Sequence, residues 1–399
     1  MKTNTDRQTI EALLNRGVIT EILPSRAEFL AKLSSGERLK IYIGADPTST
    51  ALHLSHAKNY MVLEELRQLG HEVIILFGDF TARIGDPSGR NEARPQLSTE
   101  EIKTNVASWL QQIKPLLNFN DQENPPRVVY NGEWLGRLTF GEILGLASNF
   151  TVQQMIERDM FDKRWRENQP IYLHEFLYPL MQGYDSVALE VDAELCGTDQ
   201  TFNALAGRTL LKRLKGKDKF VIVTNLMANP KTGALMSKSR GTGVFLSSPA
   251  NEMFGAIMAE PDEMIEPLFI NCTRLLLETK SELLGLGPRQ AKAKVARDIV
   301  GRFYGAEAAE AAEATFDKTF RDGATPEDLL EISLGADGDL VGALIEKEVI
   351  ASRGEWRRLI DEGAIRTGEN EKIEDPHYQP TPGVVLKIGK RRFVKIKTN

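Results

Sequence analysis

Short unbroken apolar runs alternate with helical periodicity over the first half of the chain. Residues 39–43 (LKIYI), 72–77 (EVIILF) and 220–224 (FVIVT) have the length and composition of buried strands. Between the first two, residues 56–69 carry Ala57, Met61, Leu63, Leu66 and Leu69 at close to helical spacing. Gly44 and Pro47 break the first strand and Gly70 stops the helix. A strand, a helix and a strand in that order predict a parallel sheet. Amphipathic helices are predicted over 7–16 and 26–34, over 98–117 with Pro115 near the end, and twice between 140 and 165. A further helix spans 172–189; residues 188–191 and 194–195 then lead to a strand end at Cys196, with a helix from Phe202.

The pattern changes near residue 245. Residues 250–322 are almost wholly helical, and the runs AKAKVARDIVGRFYG and AEAAEAAEATFDKTF are rich in strong helix formers. Residues 326–338, with Pro326, Gly335 and Gly338, read as a linker. The end, 339–399, is mixed: helices near 339–347 and 354–361, then strands at 384–388 and 392–397.

Composition narrows the class. The 399 residues, 41% apolar and 27% charged, suit two or three globular domains. A net charge of −6 argues against a generally basic nucleic-acid coat and leaves room for a local patch. Cys196 and Cys272 are too few for a disulfide framework or a cysteine zinc site, which fits a reducing cytoplasm. The N-terminal residues lack a signal-peptide core, and no apolar run approaches membrane-spanning length, so no membrane role is expected.

Candidate chemistry then gathers on the loops. His53 and His56 stand at a helix N-terminus, where free N–H groups and the dipole attract phosphate; capping or surface histidines are the competing reading. Residues 78–90 (GDFTARIGDPSGR) form an irregular loop without Walker A spacing, and Arg90 and Arg94 either meet phosphate or are solvated. Tyr178, Gln182 and Asp185 lie about one turn apart on an otherwise apolar helix, as a lined pocket or a solvated stripe. Asp199 and Gln200 follow a strand end, where ligands of open parallel sheets bind, and so would share a crevice with the histidines. Ser237, Lys238 and Ser239 among glycines can follow a moving phosphate or serve as plain surface loop. Lys387, Lys390, Arg391, Arg392, Lys395 and Lys397 crowd the last strands with no acidic residue among them, which marks an RNA contact or a soluble edge.

These residues carry a family resemblance. HLSH at 53–56 followed by LMSKS at 235–239 resembles the paired HIGH and KMSKS signatures of class I aminoacyl-tRNA synthetases. YIGADPT at 42–48, GDFTARIGDPSGR at 78–90, YPLMQGYDS at 178–186 and CGTDQTFN at 196–203 are similar to the bacterial tyrosyl-tRNA synthetases, in the same order along nearly the whole chain. The resemblance implies an α/β Rossmann-type catalytic domain over 1–245 with a dimer-forming insertion at about 125–178. It implies a helical anticodon-arm domain over 246–325 and a ribosomal-protein-type RNA-binding domain over 339–399. The implied partners are L-tyrosine, ATP, tRNA(Tyr) and a second copy of the chain in a homodimer. Magnesium would accompany ATP without a dedicated protein site. Tyrosine would attack the α-phosphate of ATP, releasing pyrophosphate, and pass from the adenylate to the terminal ribose of the tRNA.

By the same resemblance Thr48, His53, His56 and Lys238 are catalytic, and Gly44, Gly197, Asp199, Met236 and Ser237 join His53, His56 and Lys238 around ATP. Tyr42 and Asp185 would meet the substrate phenol, and Tyr178, Gln182, Asp46 and Gln200 its amino-acid end. Three positions depart from the family pattern: Ser55 for the glycine of HIGH, Leu235 for the first lysine of KMSKS, and Cys196 where glycine is common. A small-molecule adenylyltransferase would not need the helical and basic C-terminal parts. A non-catalytic RNA-binding relative would not need His53, His56 and Lys238, and tryptophan specificity fits poorly with Tyr42 and Asp185.

Overall fold

Six strands form the main sheet: β1 (Ile19–Leu23), β2 (Lys40–Ala45), β3 (Glu72–Phe77), β4 (Arg127–Tyr130), β5 (Ala193–Gly197) and β6 (Phe220–Thr224), in the order β1-β6-β5-β2-β3-β4. The computed structural model describes residues 2–86, 97–157, 159–236, 243–321, 330–334, 339–347, 349–367, 371–381, 383–389 and 392–397. The continuous apolar run of β3 is buried from Val73 to Phe77, as expected of a parallel strand covered on both faces. It pairs in parallel with β2, Ile41 opposite Val73, and with β4, Ile75 opposite Val128.

Strand order places the functional end of the sheet. From β2 the chain builds outward through β3 and β4, then returns to the other side of β2 to lay down β5 and β6. The direction of winding therefore reverses between β2 and β5, and a crevice opens beyond their carboxyl ends. The helix Leu54–Gln68 leaves from one lip of that crevice, and the 3₁₀ turn Thr198–Gln200 with the helix Thr201–Lys215 from the other. The helix Leu173–Leu189 crosses close to Thr201–Lys215 through two glycines, Gly183 and Gly207.

Two strands differ from the expectation. β1, between the two N-terminal helices Arg7–Asn15 and Arg26–Ser34, pairs antiparallel with β6, Ile22 opposite Ile222, so the sheet is not purely parallel. A bulge between Ile19 and Glu21 interrupts its alternation, which hid it. β4 is an edge strand of partly exposed residues and sits at the start of the predicted insertion.

The helices Ala250–Ala259, Ile265–Cys272, Lys280–Gly285 and Pro288–Tyr304 follow. By contacts the chain divides into two compact units, 1–310 and 311–399, so the change at residue 245 is one of pattern inside a single unit. Arg16, from the first helical stretch, fastens this segment. Its guanidinium donates to the carbonyls of Phe269, Ile270, Thr273 and Leu275 at 2.7–3.2 Å, where the helix Ile265–Cys272 ends and its carbonyls lack helical partners. Arg274 adds an ion pair with Glu65.

The second unit is a four-stranded sheet in the order β7-β10-β9-β8, formed by β7 (Leu330–Ser333), β8 (Ile365–Thr367), β9 (Val385–Ile388) and β10 (Arg392–Lys397). Helices Leu340–Glu346 and Arg353–Asp361 cover it through Leu344, Trp356 and Ile360. β7 lies within the stretch read as a linker and pairs in parallel with β10. It brings Glu331 to Lys395 and Lys397, and Arg392 meets Glu355, so these three basic residues face carboxylates that the local sequence did not disclose. Lys390 and Arg391 lie outside the described residues.

Candidate active site

A cavity of about 340 Å³ occupies the crevice between β2 and β5. The end of β2 and the turn after it supply Ile43, Gly44, Ala45, Asp46 and Thr48; the following helix supplies Ser55, His56, Lys58 and Asn59. The end of β5 supplies Glu194, Leu195, Cys196 and Gly197, with Asp199 and Gln200 just beyond. Tyr178, Gln182 and Asp185 enter from one face of the helix Leu173–Leu189, so the polar stripe lines a pocket and is not solvated. Thr81, Asp86 and Trp109 also form part of the wall.

The polar groups hold one another in place. Asp46 accepts from the Tyr178 hydroxyl at 2.8 Å and from Thr81 Oγ1 at 2.7 Å. This pairing needs Gly78, where a Cβ would lie 2.0 Å from Asp46 Oδ1 and 2.2 Å from Thr81 Oγ1. Asp185 is buried and accepts from Trp134 Nε1 at 2.8 Å and Asn131 Nδ2 at 3.3 Å. Burial pushes its carboxyl well above the ordinary range against the pull of these two donors, and Glu194 and Asp46 add to the rise. Gln182 donates to Glu194 and accepts from Asn203 Nδ2 at 2.8 Å, while Gln200 donates to Asp86 at 2.8 Å.

Both histidines are neutral at pH 7. Burial lowers His53 to about 4, and burial together with the charge of His53 lowers His56 to about 3. The rings lie 4.0 Å apart, and His56 Nδ1 accepts from the His53 backbone N–H at 3.2 Å. A neutral ring accepting at Nδ1 carries its proton on Nε2, which makes His56 a hydrogen-bond donor without charge. His53 Nδ1 is buried with no partner among the described residues. The chain after the LMSKS stretch returns beside these residues: His53 bridges Phe245, Leu54 N–H donates to Val244 O at 3.0 Å, and Leu246 N–H to Leu52 O at 2.9 Å. Lys58 is a cation among the described lining residues, buried, with its pKa lowered to about 8 mainly by desolvation.

Of the residues predicted to contact ligand, Gly44, Asp46, Thr48, His56, Tyr178, Gln182, Asp185, Gly197, Asp199 and Gln200 line this one cavity. Tyr42, His53 and Met236 do not. Tyr42 is fully buried with its hydroxyl 3.0 Å from Ser186 Oγ, and Met236 is buried beside the bridged pair Ala228 and Leu235. Ser237 and Lys238 lie outside the described residues, as do Arg90 and Arg94. Asn131 and Trp134, the partners of Asp185, were not found by sequence reasoning, and neither were Thr81, Lys58 or the Glu194–Lys219 pair. The last left a trace: an acidic residue in β5 and a lysine just before β6 are out of place in a buried sheet.

Known proteins resemble this chain in sequence and in fold. Residues 34–321 match the family model described as tRNA synthetases class I (W and Y). A tyrosine–tRNA ligase of Carboxydothermus hydrogenoformans is 40% identical over 404 aligned positions, covering 96% of each chain. One of Geobacter metallireducens is 41% identical, covering 96% of this chain and 98% of its own, and one of Haemophilus influenzae 38%, covering 99% and 98%. Among solved structures, a C-terminally truncated mitochondrial tyrosyl-tRNA synthetase of Aspergillus nidulans superposes with a TM-score of 0.67 at 22% identity, over 78% of this chain and 94% of its own. The Archaeoglobus fulgidus tyrosyl-tRNA synthetase complexed with L-tyrosine gives 0.60 at 22% identity, over 76% and 99%. The sheet with its crevice at the reversal point is thus the Rossmann-type catalytic fold. The chain belongs to the class I tRNA synthetases of the tryptophan and tyrosine family.

Proposed function

We propose that the chain is a tyrosine–tRNA ligase: it activates L-tyrosine with ATP and transfers the tyrosyl group to the terminal ribose of tRNA(Tyr). The observation that carries this reading is the meeting, in one cavity at the sheet's reversal point, of a carboxylate-rich pocket and a neutral histidine at a helix start. Asp46, Tyr178 and Gln182 are disposed to take the substrate ammonium, and buried Asp185 to pair with its phenol. A phenylalanine side chain would leave that carboxyl without its partner, which is how a polar pocket rejects an apolar analogue; this enzyme family is the standard illustration of the effect.

Attack of the tyrosine carboxylate on the α-phosphate needs alignment and charge neutralisation and no covalent intermediate on the protein. Thr48 and His56 line the cavity as uncharged donors for phosphate oxygens. The described lining is rich in acids, and its cation Lys58 already donates to Asn59 and Thr224, so positive charge for the leaving pyrophosphate falls to Lys238 and to magnesium arriving with ATP as part of the substrate.

The helical segment 246–325 would hold the anticodon arm and residues 339–399 would add an RNA contact. The insertion exposes Phe140 (74%), Trp165 (64%) and Leu173 (83%), an apolar surface suited to a second copy of the chain in a homodimer. A mass measurement in solution giving a monomer would refute that assembly. No helix among the described residues is long and apolar enough to cross a membrane, and the proposed place of action is the cytoplasm.

Amino-acid-dependent ATP–pyrophosphate exchange tests the reading. Tyrosine should drive exchange far more effectively than phenylalanine or tryptophan. His56→Ala and Lys238→Ala should slow it while tyrosine still binds, and unchanged exchange in both would overturn their roles.

A further inference from the structure

At the cavity floor, where Glu194 is part of the lining, lies an ion pair that no part of the proposed reaction uses. Lys219, immediately before β6, is fully buried against Glu194 of β5, also buried. Two side chains of opposite charge inside a sheet are expensive to desolvate, and replacement by apolar residues is often neutral or stabilising, so stability alone does not account for the pair. Its connections do. Glu194 Oε1 accepts from Gln182 Nε2 at 3.1 Å, and Lys219 Nζ donates to Ser186 Oγ at 2.7 Å, which lies 3.0 Å from the Tyr42 hydroxyl. The ammonium also sits 5.5 Å from the centre of the Tyr42 ring. The fold reserves space for it: a Cβ on Gly207 would stand 2.8 Å from Ser186 Oγ and 2.9 Å from Lys219 Nζ, so the helix Thr201–Lys215 needs glycine there.

We propose that the Glu194–Lys219 pair is a positioning device for the amino-acid half of the site, setting the rotation of the Gln182 carboxamide on one side and the Tyr42 hydroxyl on the other. The carboxamide has two orientations of nearly equal shape and opposite chemistry. A carboxylate at Glu194 accepts only, so it compels Gln182 to turn its NH₂ inward to the floor. The Gln182 carbonyl then faces Asn203, which uses one of its lone pairs, and keeps the other for a cationic donor. Lys219 neutralises Glu194, which would otherwise stand as an uncompensated charge near Asp185. Through Ser186 it also fixes the Tyr42 phenol.

The inference rests on the tyrosine pocket proposed above, and a Gln182→Ala variant separates the two. That variant should raise the KM for tyrosine in exchange; if it does not, the pocket assignment fails before the ion pair is judged. With that effect in hand, Lys219→Met should raise the tyrosine KM about tenfold, a size usual for coupling within one buried network, and leave kcat and the ATP KM within about twofold. Glu194→Gln should also raise the tyrosine KM. The double variant restores electrical neutrality but supplies neither the accept-only carboxylate nor the ammonium, so it should regain stability and keep a raised tyrosine KM. A merely structural pair would lower melting temperature and active fraction without moving the tyrosine KM selectively. A tyrosine KM at the parent value in Lys219→Met, or in the double variant, would overturn the proposal. Should Lys219→Met fail to fold, the double variant, which leaves no buried charge unpaired, is read in its place.

Discussion

Replacing Asp185 by asparagine should make the enzyme more stable and less selective at once. The carboxylate is 2% exposed, and its donors are Trp134 Nε1 at 2.8 Å and Asn131 Nδ2 at 3.3 Å. Taking an ionised carboxylate out of water costs several kcal/mol after relaxation. One good and one long hydrogen bond to a charged acceptor return about 2–4 kcal/mol together. Asparagine keeps the shape and the Trp134 bond, forfeits the longer one, and removes the charge, for a net gain of about 1–2 kcal/mol at pH 7. That corresponds to a rise in melting temperature of about 2–5 °C for a unit of this size. The pH dependence gives a second reading. Because the folded carboxyl titrates above its unfolded value, the native state binds the extra proton, and the destabilisation is full above the folded pKa. It fades as the pH falls toward the unfolded value of about 3.9, so the stability gap between variant and parent should narrow on acidification. In the same variant, tyrosine-dependent exchange should fall while phenylalanine-dependent exchange falls less, compressing the discrimination ratio. Scanning calorimetry at several pH values and parallel exchange assays suffice. A variant less stable than the parent at pH 7, or one that separates tyrosine from phenylalanine as sharply as before, would refute the account of Asp185.

Gly78→Ala should damage tyrosine binding without touching substrate directly, because the new Cβ displaces Asp46 from Tyr178 and Thr81; a tyrosine KM within twofold of the parent would show that Asp46 tolerates the shift. The histidines should impose no titration on exchange between pH 6 and 8, since burial lowers them to about 4 and about 3. Their charging on unfolding means stability is lost as the pH drops from about 6.5 toward those values, and an exchange profile with a step near 6.5 that vanishes in His56→Ala would contradict this. Deleting 326–399 should spare exchange and weaken charging of tRNA(Tyr), and charging at the parental rate would remove the C-terminal unit from the RNA contact.

Strands legible in the sequence were those whose burial is continuous or whose bounds are cut by glycine and proline, as in β3 and β6. β1 and β4 escaped because a bulge and an edge position erase the two-residue rhythm, and β7 because four residues among glycines carry too little signal. At the site, spacing on one helix face singled out Tyr178, Gln182 and Asp185 as a lined pocket or a solvated stripe, and the structure puts all three in the cavity lining. Their partners come from other strands and loops: Asn131 and Trp134 follow the edge strand β4, and Thr81 follows β3. Such pairings exist only once the sheet order is set, and no local pattern encodes them. Tyr42 was expected at the ligand surface, and the structure turns it toward Ser186 and the floor.

Arg16 holds its helix end through carbonyl oxygens, which every residue type offers alike. The joint therefore reads little of the side chains at positions 269–275: only Thr273 Oγ1, at 3.3 Å, and the Phe269 ring, 5.9 Å from the guanidinium carbon, meet Arg16. All of the burden falls on the one guanidinium. A lysine in its place has a single nitrogen and no planar fork, and would reach only part of that cluster.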